Sequence, residues 1–266
     1  MRPTGMMTVG RSFDMEYLDQ LNRSIFIENP PQRIISLVPS QTELLVDLGL
    51  EERIVGVTKF CVHPKGLKKR KTLVGGTKNY RMEVIESLKP DLIIGNKEEN
   101  KQEGIEGLMG KFPVWMSDIY TLKDSLDMIG SFGEMLGVEE RAEDMVKQLN
   151  SDFALPLSKK GTAIYLIWKD PIMVAGADTF INEMLDFAGF DNLIQTSRYP
   201  QLTNEDLINL NPDHLLLSSE PFPFKESHIQ SFHLHLPKTK IRLVDGEIFS
   251  WYGSRLLRAK GYCENL

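Results

Sequence analysis

One pattern of residues occurs twice in the chain, and this repeat constrains the fold more than any other feature. The segments "MEVIESLKPDLII" (82–94) and "NEDLINLNPDHLL" (204–216) share an acidic residue, two apolar residues and a Pro-Asp pair at the same spacing. Each copy is typical of a short amphipathic helix that ends before proline and is followed by a buried strand. Two copies in the same order predict two lobes of similar α/β build. Chance similarity between common helix–strand turns is the alternative interpretation.

A strand, a tight turn and a helix are predicted in the segment "RIISLVPSQTELLVDLGL" (33–50). Its apolar run fits a strand covered on both faces and stops at Pro39. Ser40 and Glu43 have the spacing of a capping box, and Gly49 can adopt the left-handed turn that ends a helix. Ligands of open α/β sheets collect where strands end and helices begin. We therefore expect Ser40 to lie beside a ligand, with an ordinary capped helix as the alternative.

The middle of the chain, from 121 to 157, has the strongest helical periodicity and lacks a Gly/Ser-rich or Pro-rich linker. A helix from about 139 to 155 would be about 25 Å long and could connect two lobes rigidly. The predicted organisation is an N-terminal α/β lobe (1–137), a connecting helix (138–156) and a C-terminal α/β lobe (157–266). The cleft between the lobes should then be largely pre-formed.

Composition excludes several classes of partner. The 31 Lys and Arg residues are outnumbered by 37 Asp and Glu residues, for a net charge of -6, so no basic surface for nucleic acid or anionic lipid is expected. No apolar run reaches the ~20 residues that cross a bilayer. The N-terminal segment lacks the apolar core of a secretory signal as written. Cys61 and Cys263 are the only cysteines, which excludes a cysteine zinc site but leaves their pairing open.

Motifs for catalysis and metal binding are absent from the sequence. It contains no G-x-S-x-G elbow, phosphate-binding loop or G-x-G-x-x-G fingerprint. The five histidines are scattered, and the "HLH" at 233–235 is more typical of a surface strand or loop than of a metal site. We therefore assign no catalytic residue and no metal ligand.

Aromatic residues at the ends of apolar runs are the candidate ligand-binding residues. Ligand pockets are mostly apolar and aromatic, and loops from two lobes could line one cleft. The alternative is that each ring packs beneath its own loop. Together with Ser40, the predicted ligand-binding set is Phe60, Tyr80, Trp168, Tyr199, Trp251 and Tyr252.

Four segments together resemble a known family: "NRSIFIENPPQRIISLVPSQTELLVDLG", "VGVTKFCVHP", "VIESLKPDLIIG" and "VDGEIFSWYGSRLLRA". They are similar to the helical-backbone (class III) periplasmic substrate-binding proteins of ATP-driven importers, the group that binds cobalamin, ferric siderophores and haem. The cobalamin-binding members look closest, and the resemblance covers nearly the whole chain. No single motif is diagnostic, but their order and spacing are.

The resemblance implies two α/β lobes with mostly parallel sheets, joined by one long rigid helix, with the ligand in the cleft. Phe60 matches a cleft aromatic residue of the cobalamin binders, and Tyr80 lies in a loop that supplies another. Glu83 matches an acidic residue that docks onto the membrane permease. The corresponding position of the second lobe falls at Ser250, so nearby Glu247 is the candidate there.

The function that follows from the resemblance is solute binding without catalysis. The expected ligand is a corrinoid or a similar metal chelate such as a ferric siderophore or haem, held by a monomer with no resident cofactor. The expected partners are an ATP-driven permease and its ATPase, in the periplasm or cell envelope. A cytoplasmic corrinoid-binding or trafficking protein on the same fold is the first alternative, because no leader is present as written. An enzyme that uses the cleft is the second.

Overall fold

The computed structural model describes residues 15–266, which form two α/β lobes with a cleft between them. The prediction about a leader falls mainly on residues 1–14, which lie outside this description. Among residues 15–266, no helix combines the length and the apolar character needed to cross a membrane.

The first lobe contains a five-stranded sheet in which every pairing is parallel, in the order β5-β4-β3-β6-β7. A short antiparallel hairpin, β1 with β2, precedes it. All residues of β3 and β6 are buried, as predicted from their continuous apolar runs. The elements of this lobe are β1 (Met15–Leu18), β2 (Ser24–Ile27), β3 (Ile34–Ser36), α1 (Pro39–Asp47), β4 (Ile54–Val57), α2 (Leu67–Arg70), β5 (Thr72–Leu73), α3 (Met82–Leu88), β6 (Leu92–Asn96), α4 (Gln102–Met109) and β7 (Val114–Ser117).

Two consecutive helices, α5 (Leu122–Leu136) and α6 (Glu139–Asp152), connect the sheets. The α6 helix corresponds to the predicted connecting helix but ends three residues before Leu155. Near its start, Arg141 donates to the carbonyl oxygen of Leu48 in the first lobe. Just after its end, Phe153 stacks on Phe187 of the second lobe, with ring centroids 4.0 Å apart. The α6 helix is therefore in contact with both lobes.

The second lobe contains a six-stranded mixed sheet. Strands β8, β10, β12 and β13 pair in parallel, whereas β9 pairs antiparallel with β8 and β11. The elements are β8 (Gly161–Trp168), β9 (Ile172–Val174), α7 (Phe180–Phe187), β10 (Phe190–Asn192), β11 (Gln201–Leu202), α8 (Asn204–Leu210), β12 (His214–Ser218), α9 (Glu226–His233), β13 (Lys240–Val244), α10 (Gly246–Ser250) and α11 (Ala259–Glu264).

The sequence repeat corresponds to a structural repeat, as predicted. Helix α3 leads into β6 and helix α8 leads into β12, and each helix ends in a residue with positive φ, Lys89 at 47° and Asn211 at 45°. The aspartate of each Pro-Asp pair binds the start of a neighbouring strand: Asp91 accepts from the Arg33 amide and Asp213 accepts from the Thr162 amide. The shared residues thus perform the same local task in both lobes.

The two lobes share one continuous apolar core. It includes Leu44 of α1, Phe132 of α5, Phe249 of α10 and Leu256, all fully buried. Burial of this many large side chains between the lobes opposes their separation, because each contributes about 1.5–3 kcal/mol relative to exposure. We therefore expect the two lobes, as far as the described residues go, to keep a fixed relative orientation.

Candidate functional site

A cleft of about 740 Å³ lies between the lobes. Most of its lining residues follow β3, β4, β5 and β6 in the first lobe and β12 and β13 in the second, at the carboxyl ends of parallel strands. The lining residues are Val38, Pro39, Ser40, Lys59, Phe60, Val62, Lys68, Thr77, Lys78, Glu98, Glu99, Ile167, Ile181, Tyr199, Glu220, Pro221, Glu247, Ser250, Trp251 and Tyr252.

Five of the seven predicted ligand-binding residues line this cleft: Ser40, Phe60, Tyr199, Trp251 and Tyr252. They come from both lobes and are separated by up to 212 positions in the sequence. The structure therefore brings most of the predicted set together, and a ligand in the cleft would contact both lobes.

Tyr80 and Trp168 lie outside the cleft lining, contrary to the sequence expectation. An isolated bridge between Gly75 and Tyr80 turns the loop so that the Tyr80 ring packs on α4, and burial raises the pKa of its hydroxyl to about 12. The lining includes Ile167 of β8 but not its neighbour Trp168, and the pairing of β8 with β9 is irregular between Leu166 and Trp168. The Trp168 ring meets Phe222 instead, with centroids 5.5 Å apart.

Phe60 is the exposed aromatic ring of the first-lobe wall. Its side chain is 48% exposed, although the ring is apolar. The Lys59 ammonium lies 5.0 Å from the ring centroid. An apolar ring that faces an open cleft gains by contact with a ligand, since that contact removes apolar surface from water.

Trp251 is held rigidly in the second-lobe wall. Its indole nitrogen donates to Glu220 Oε1 over 2.8 Å, and the Arg255 guanidinium lies 5.0 Å from the ring. The His63 ring meets it edge-on, with centroids 5.5 Å apart. Because these contacts fix the indole before a ligand binds, its conformational entropy is already lost and little more is lost on binding.

A buried charge network connects the cleft to the core between the lobes. Arg255 Nε donates to Glu43 Oε2 over 2.9 Å, and both side chains are only 5% exposed. The other end of the guanidinium lies 3.1 Å from Glu247 Oε2, and His63 Nε2 lies 2.9 Å from the same carboxylate. The predicted capping box of α1 is therefore wrong: Val38 is the N-cap, and Glu43 pairs with Arg255 of the other lobe.

The position of Glu247 does not fit a role on the outer rim. Its carboxylate lines the cleft and is engaged by Arg255 and His63. Ser250 also lines the cleft, where its hydroxyl donates to Glu220 Oε1. Both positions thus line the cleft between the lobes, whereas the sequence analysis expected Glu247 to dock onto a permease.

Exposed acidic residues occur at equivalent positions of the repeat instead. Glu83 is exposed on α3, and Glu205 is exposed on α8. The repeat in the sequence aligns these two residues, so Glu205 could have been chosen as the second-lobe candidate from the sequence alone.

Three cleft carboxylates were missed by the sequence analysis: Glu98, Glu99 and Glu220. Extending the repeat beyond the strands places Glu98 opposite Glu220, because both lie two residues after the end of a central strand, β6 or β12. In the first lobe, buried Asn96 fixes this turn: its side-chain oxygen accepts from the amides of Glu98 and Glu99. The sequence therefore contains the equivalence of Glu98 and Glu220. It was missed because the two copies of the repeat were compared only as far as the strands.

The environment of Glu99 and Glu220 disfavours the charged forms of their carboxyl groups. Desolvation raises the pKa of Glu220 and the pKa of Glu99, and neighbouring carboxylates add to both shifts. Glu99 is exposed to the cleft, and the protein groups around it reduce the hydration of its carboxylate. For Glu220, the hydrogen bonds from Ser250 and Trp251 only partly offset the desolvation.

One edge of the cleft is closed by an ion pair between the lobes. Arg198 Nη2 lies 2.9 Å from Glu98, and its guanidinium lies 5.5 Å from the Tyr120 ring and 5.4 Å from the Tyr199 ring. Burial raises the pKa of the Tyr199 hydroxyl, and nearby Glu98 raises it further. Tyr199 is therefore a neutral aromatic wall at this edge.

The remaining candidates from the sequence lie away from any assembled centre. Cys61 and Cys263 are both buried and free, so they do not pair in this structure. Across residues 15–266, no group of three or more His, Cys, Asp and Glu side chains is arranged to hold a metal ion. His214 is buried in β12, where its ring meets Phe190.

Comparison with known sequences agrees with this geometry. The sequence pattern of the periplasmic binding protein family matches residues 34–233. An uncharacterised ABC transporter substrate-binding lipoprotein, YvrC of Bacillus subtilis, is 33% identical over 218 residues, which cover 74% of this chain and 67% of that protein. The vitamin B12-binding protein of Pectobacterium carotovorum is 26% identical over 239 residues, 86% of each chain.

A solved structure shares the fold. A possible iron-binding (periplasmic solute-binding) protein from Staphylococcus epidermidis superimposes with a TM-score of 0.74 and 26% sequence identity, over 87% of this chain and 96% of that chain. The two-lobe α/β fold is thus common to both proteins.

Proposed function

The chain belongs to the periplasmic binding protein family, and from this premise we propose that it is the substrate-binding component of an ATP-driven importer. Its ligand is a large metal chelate, a corrinoid first and a ferric siderophore or haem next. The observation that carries the proposal is the cleft of about 740 Å³, lined by aromatic rings from both lobes.

The size and character of the cleft support a large planar ligand. Drug-sized ligands fill pockets of about 300–1,000 Å³ lined mainly by apolar and aromatic side chains. Phe60 on one wall and Trp251 with Tyr252 on the other offer ring surfaces to the two faces of a macrocycle. The similarity to a vitamin B12-binding protein favours a corrinoid among such ligands.

The protein binds its ligand without large closure, because the lobes share a core. A buried ion pair, Glu43 with Arg255, and the α6 helix also connect the lobes. Affinity therefore comes from contact area and desolvation of the rings rather than from a hinge that encloses the ligand. The role is transport, with delivery to a membrane permease and its ATPase in the cell envelope.

Docking to that permease uses one exposed acid on each lobe. Glu83 and Glu205 occupy equivalent positions of the repeat, on α3 and α8. Charge complementarity of this kind steers association and fixes the register of a complex. Two equivalent acids would place both lobes on the permease together.

The test is a titration of the purified protein with cobalamin, cobinamide, haem and a ferric siderophore, followed by tryptophan fluorescence and calorimetry. We expect saturable binding of a corrinoid. Trp251→Ala should weaken it about tenfold or more through lost ring contact, while Trp168→Ala, outside the cleft, should not. If calorimetry detects no binding of any of the four chelates, the proposed function is wrong.

A further inference from the structure

The two walls of the cleft are lined by different charged side chains. This difference affects which polar groups a ligand can place against each wall. Within residues 15–266, the cleft-lining side chains of the second lobe include the carboxylates of Glu220 and Glu247 and no cationic group. The three lining lysines, Lys59, Lys68 and Lys78, all belong to the first lobe. An anionic group on the ligand would therefore find no lining cation on the second-lobe wall, because Arg198 at the edge is paired with Glu98 and Arg255 is paired with Glu43 and Glu247.

Glu220 has an oxygen available for a ligand, whereas Glu247 is already engaged. Glu220 Oε1 accepts from Ser250 and from Trp251, and Oε2 forms no hydrogen bond with the described residues. The side chain fits because position 246 is glycine: a Cβ there would lie 2.7 Å from Glu220 Cγ. The fold thus packs the Glu220 side chain closely against Gly246. Its Oε2 atom stays available to accept a hydrogen bond from a ligand in the cleft.

Glu99 is the second available acceptor, on the opposite wall. Its amide is bound by Asn96, which fixes the turn, while its carboxylate forms no hydrogen bond with the part of the chain that the structure describes. Neighbouring Glu98 is the repeat equivalent of Glu220 but is engaged by Arg198. Each wall of the cleft therefore has one carboxylate oxygen that forms no hydrogen bond with the described residues, although Lys78 lies close enough to Glu99 to lower its pKa in part.

We propose that these two carboxylates select a ligand whose periphery carries nitrogen–hydrogen donors, such as primary carboxamides, and reject ligands whose periphery carries carboxylates. This inference rests on the proposed function, since it concerns the polar groups of the chelate that fills the same cleft. Glu220 and Glu99 are then specificity-determining residues, and the aromatic rings supply contact with the macrocycle.

The physical basis is the difference between satisfying and repelling a partly desolvated carboxylate. An amide N–H that donates to Glu220 or Glu99 replaces water with a charge-assisted hydrogen bond. A ligand carboxylate at the same place brings like charges together. Desolvation, which raises the pKa of both glutamates, would also penalise an anionic group that the ligand placed beside them.

The test compares two corrinoids that differ in their peripheral groups: cobinamide, which carries amides, and the corresponding corrin polycarboxylate. Haemin serves as a carboxylated macrocycle of another type. Calorimetry at neutral pH gives the dissociation constant of each. We expect cobinamide to bind at least about tenfold more tightly than the polycarboxylate. Glu220→Gln and Glu99→Gln should each reduce this preference about tenfold, because the new amide presents a donor to the ligand's donor.

A matched control is Glu140→Gln, which makes the same charge change at an exposed position of α6 and should leave the preference unaltered. Circular dichroism melts check that each variant is folded, and the two independent cleft variants keep the test decisive if one fails to fold. Tighter binding of the polycarboxylate or haemin, or an unchanged preference in both cleft variants, would overturn the inference while leaving the transport function intact. No binding of any macrocycle would overturn both.

Discussion

At the scale of single residues, Glu220 is a partly desolvated carboxylate that lowers the stability of the folded protein when it is charged. Its folded-state pKa is raised by desolvation, so the stability it contributes is present below its unfolded pKa and is lost as pH rises through the folded value. Residues of this kind are common at binding sites, where function opposes maximal stability.

Glu220→Gln should therefore stabilise the free protein at neutral and alkaline pH. The glutamine oxygen can keep both hydrogen bonds from Ser250 and Trp251 without an ionisable group. We expect the melting temperature to rise relative to wild type at about pH 8, with the difference shrinking towards about pH 4, where wild-type Glu220 is protonated. A melting temperature that falls equally at both pH values would show that the carboxylate is needed structurally.

Arg255 is the second residue for which we predict how a replacement changes stability. It is the partner of buried Glu43, whose pKa is raised by burial in spite of the arginine. Arg255→Met should cost about 3–5 kcal/mol in the free energy of unfolding at neutral pH, since it leaves an uncompensated buried charge. Chemical denaturation measures this loss. Adding Glu43→Gln should restore much of it, and a double variant no more stable than Arg255→Met would contradict the pairing.

At the scale of elements, the end of α1 shows how a glycine admits a contact between the first lobe and the connecting helix. Gly49 has φ +81°, and a Cβ there would lie 1.6 Å from the Arg141 guanidinium of α6, which donates to the Leu48 carbonyl. The left-handed turn predicted from the sequence is thus confirmed, and its packing reason appears only in the structure.

Gly49→Ala should accordingly destabilise the protein by about 1–3 kcal/mol, through backbone strain and displacement of Arg141. The control is Gly130→Ala in α5, where a Cβ meets nothing within 4 Å. That replacement should stabilise by about 0.5–1 kcal/mol, because alanine is the better helix former. Urea unfolding of the two variants should give shifts of opposite sign, and shifts of the same sign would contradict the packing argument.

Local sequence patterns predicted the elements well and the contacts between distant elements poorly. Apolar runs and the Pro-Asp repeat identified β3, β6, β12, α3 and α8, because periodicity and turn chemistry are local. The capping box failed since Glu43 found Arg255, 212 residues away, and tertiary contacts override local ones. Trp168 was misplaced because its ring meets Phe222 next to an irregular pairing of β8 with β9, and neither feature can be seen in the local sequence pattern.

At the scale of the whole molecule, the pair of exposed acids on α3 and α8 predicts how the protein meets its permease. Glu83→Lys and Glu205→Lys should each weaken association with the permease, and both together more so, without changing ligand affinity. Binding to the permease in lipid nanodiscs, at low and high salt, measures this, with Glu140→Lys as the control on an exposed face of α6. Loss of ligand binding in Glu83→Lys would place that carboxylate in the cleft instead.

The repeat has a last consequence, for the orientation of the cargo. Each lobe supplies one wall of the cleft, so an asymmetric chelate between the walls could lie in either of two poses related by a half-turn. The lining lysines are confined to the first-lobe wall, and the charged side chains that line the second-lobe wall are the carboxylates of Glu220 and Glu247. We expect this difference in charge between the walls to favour one of the two poses.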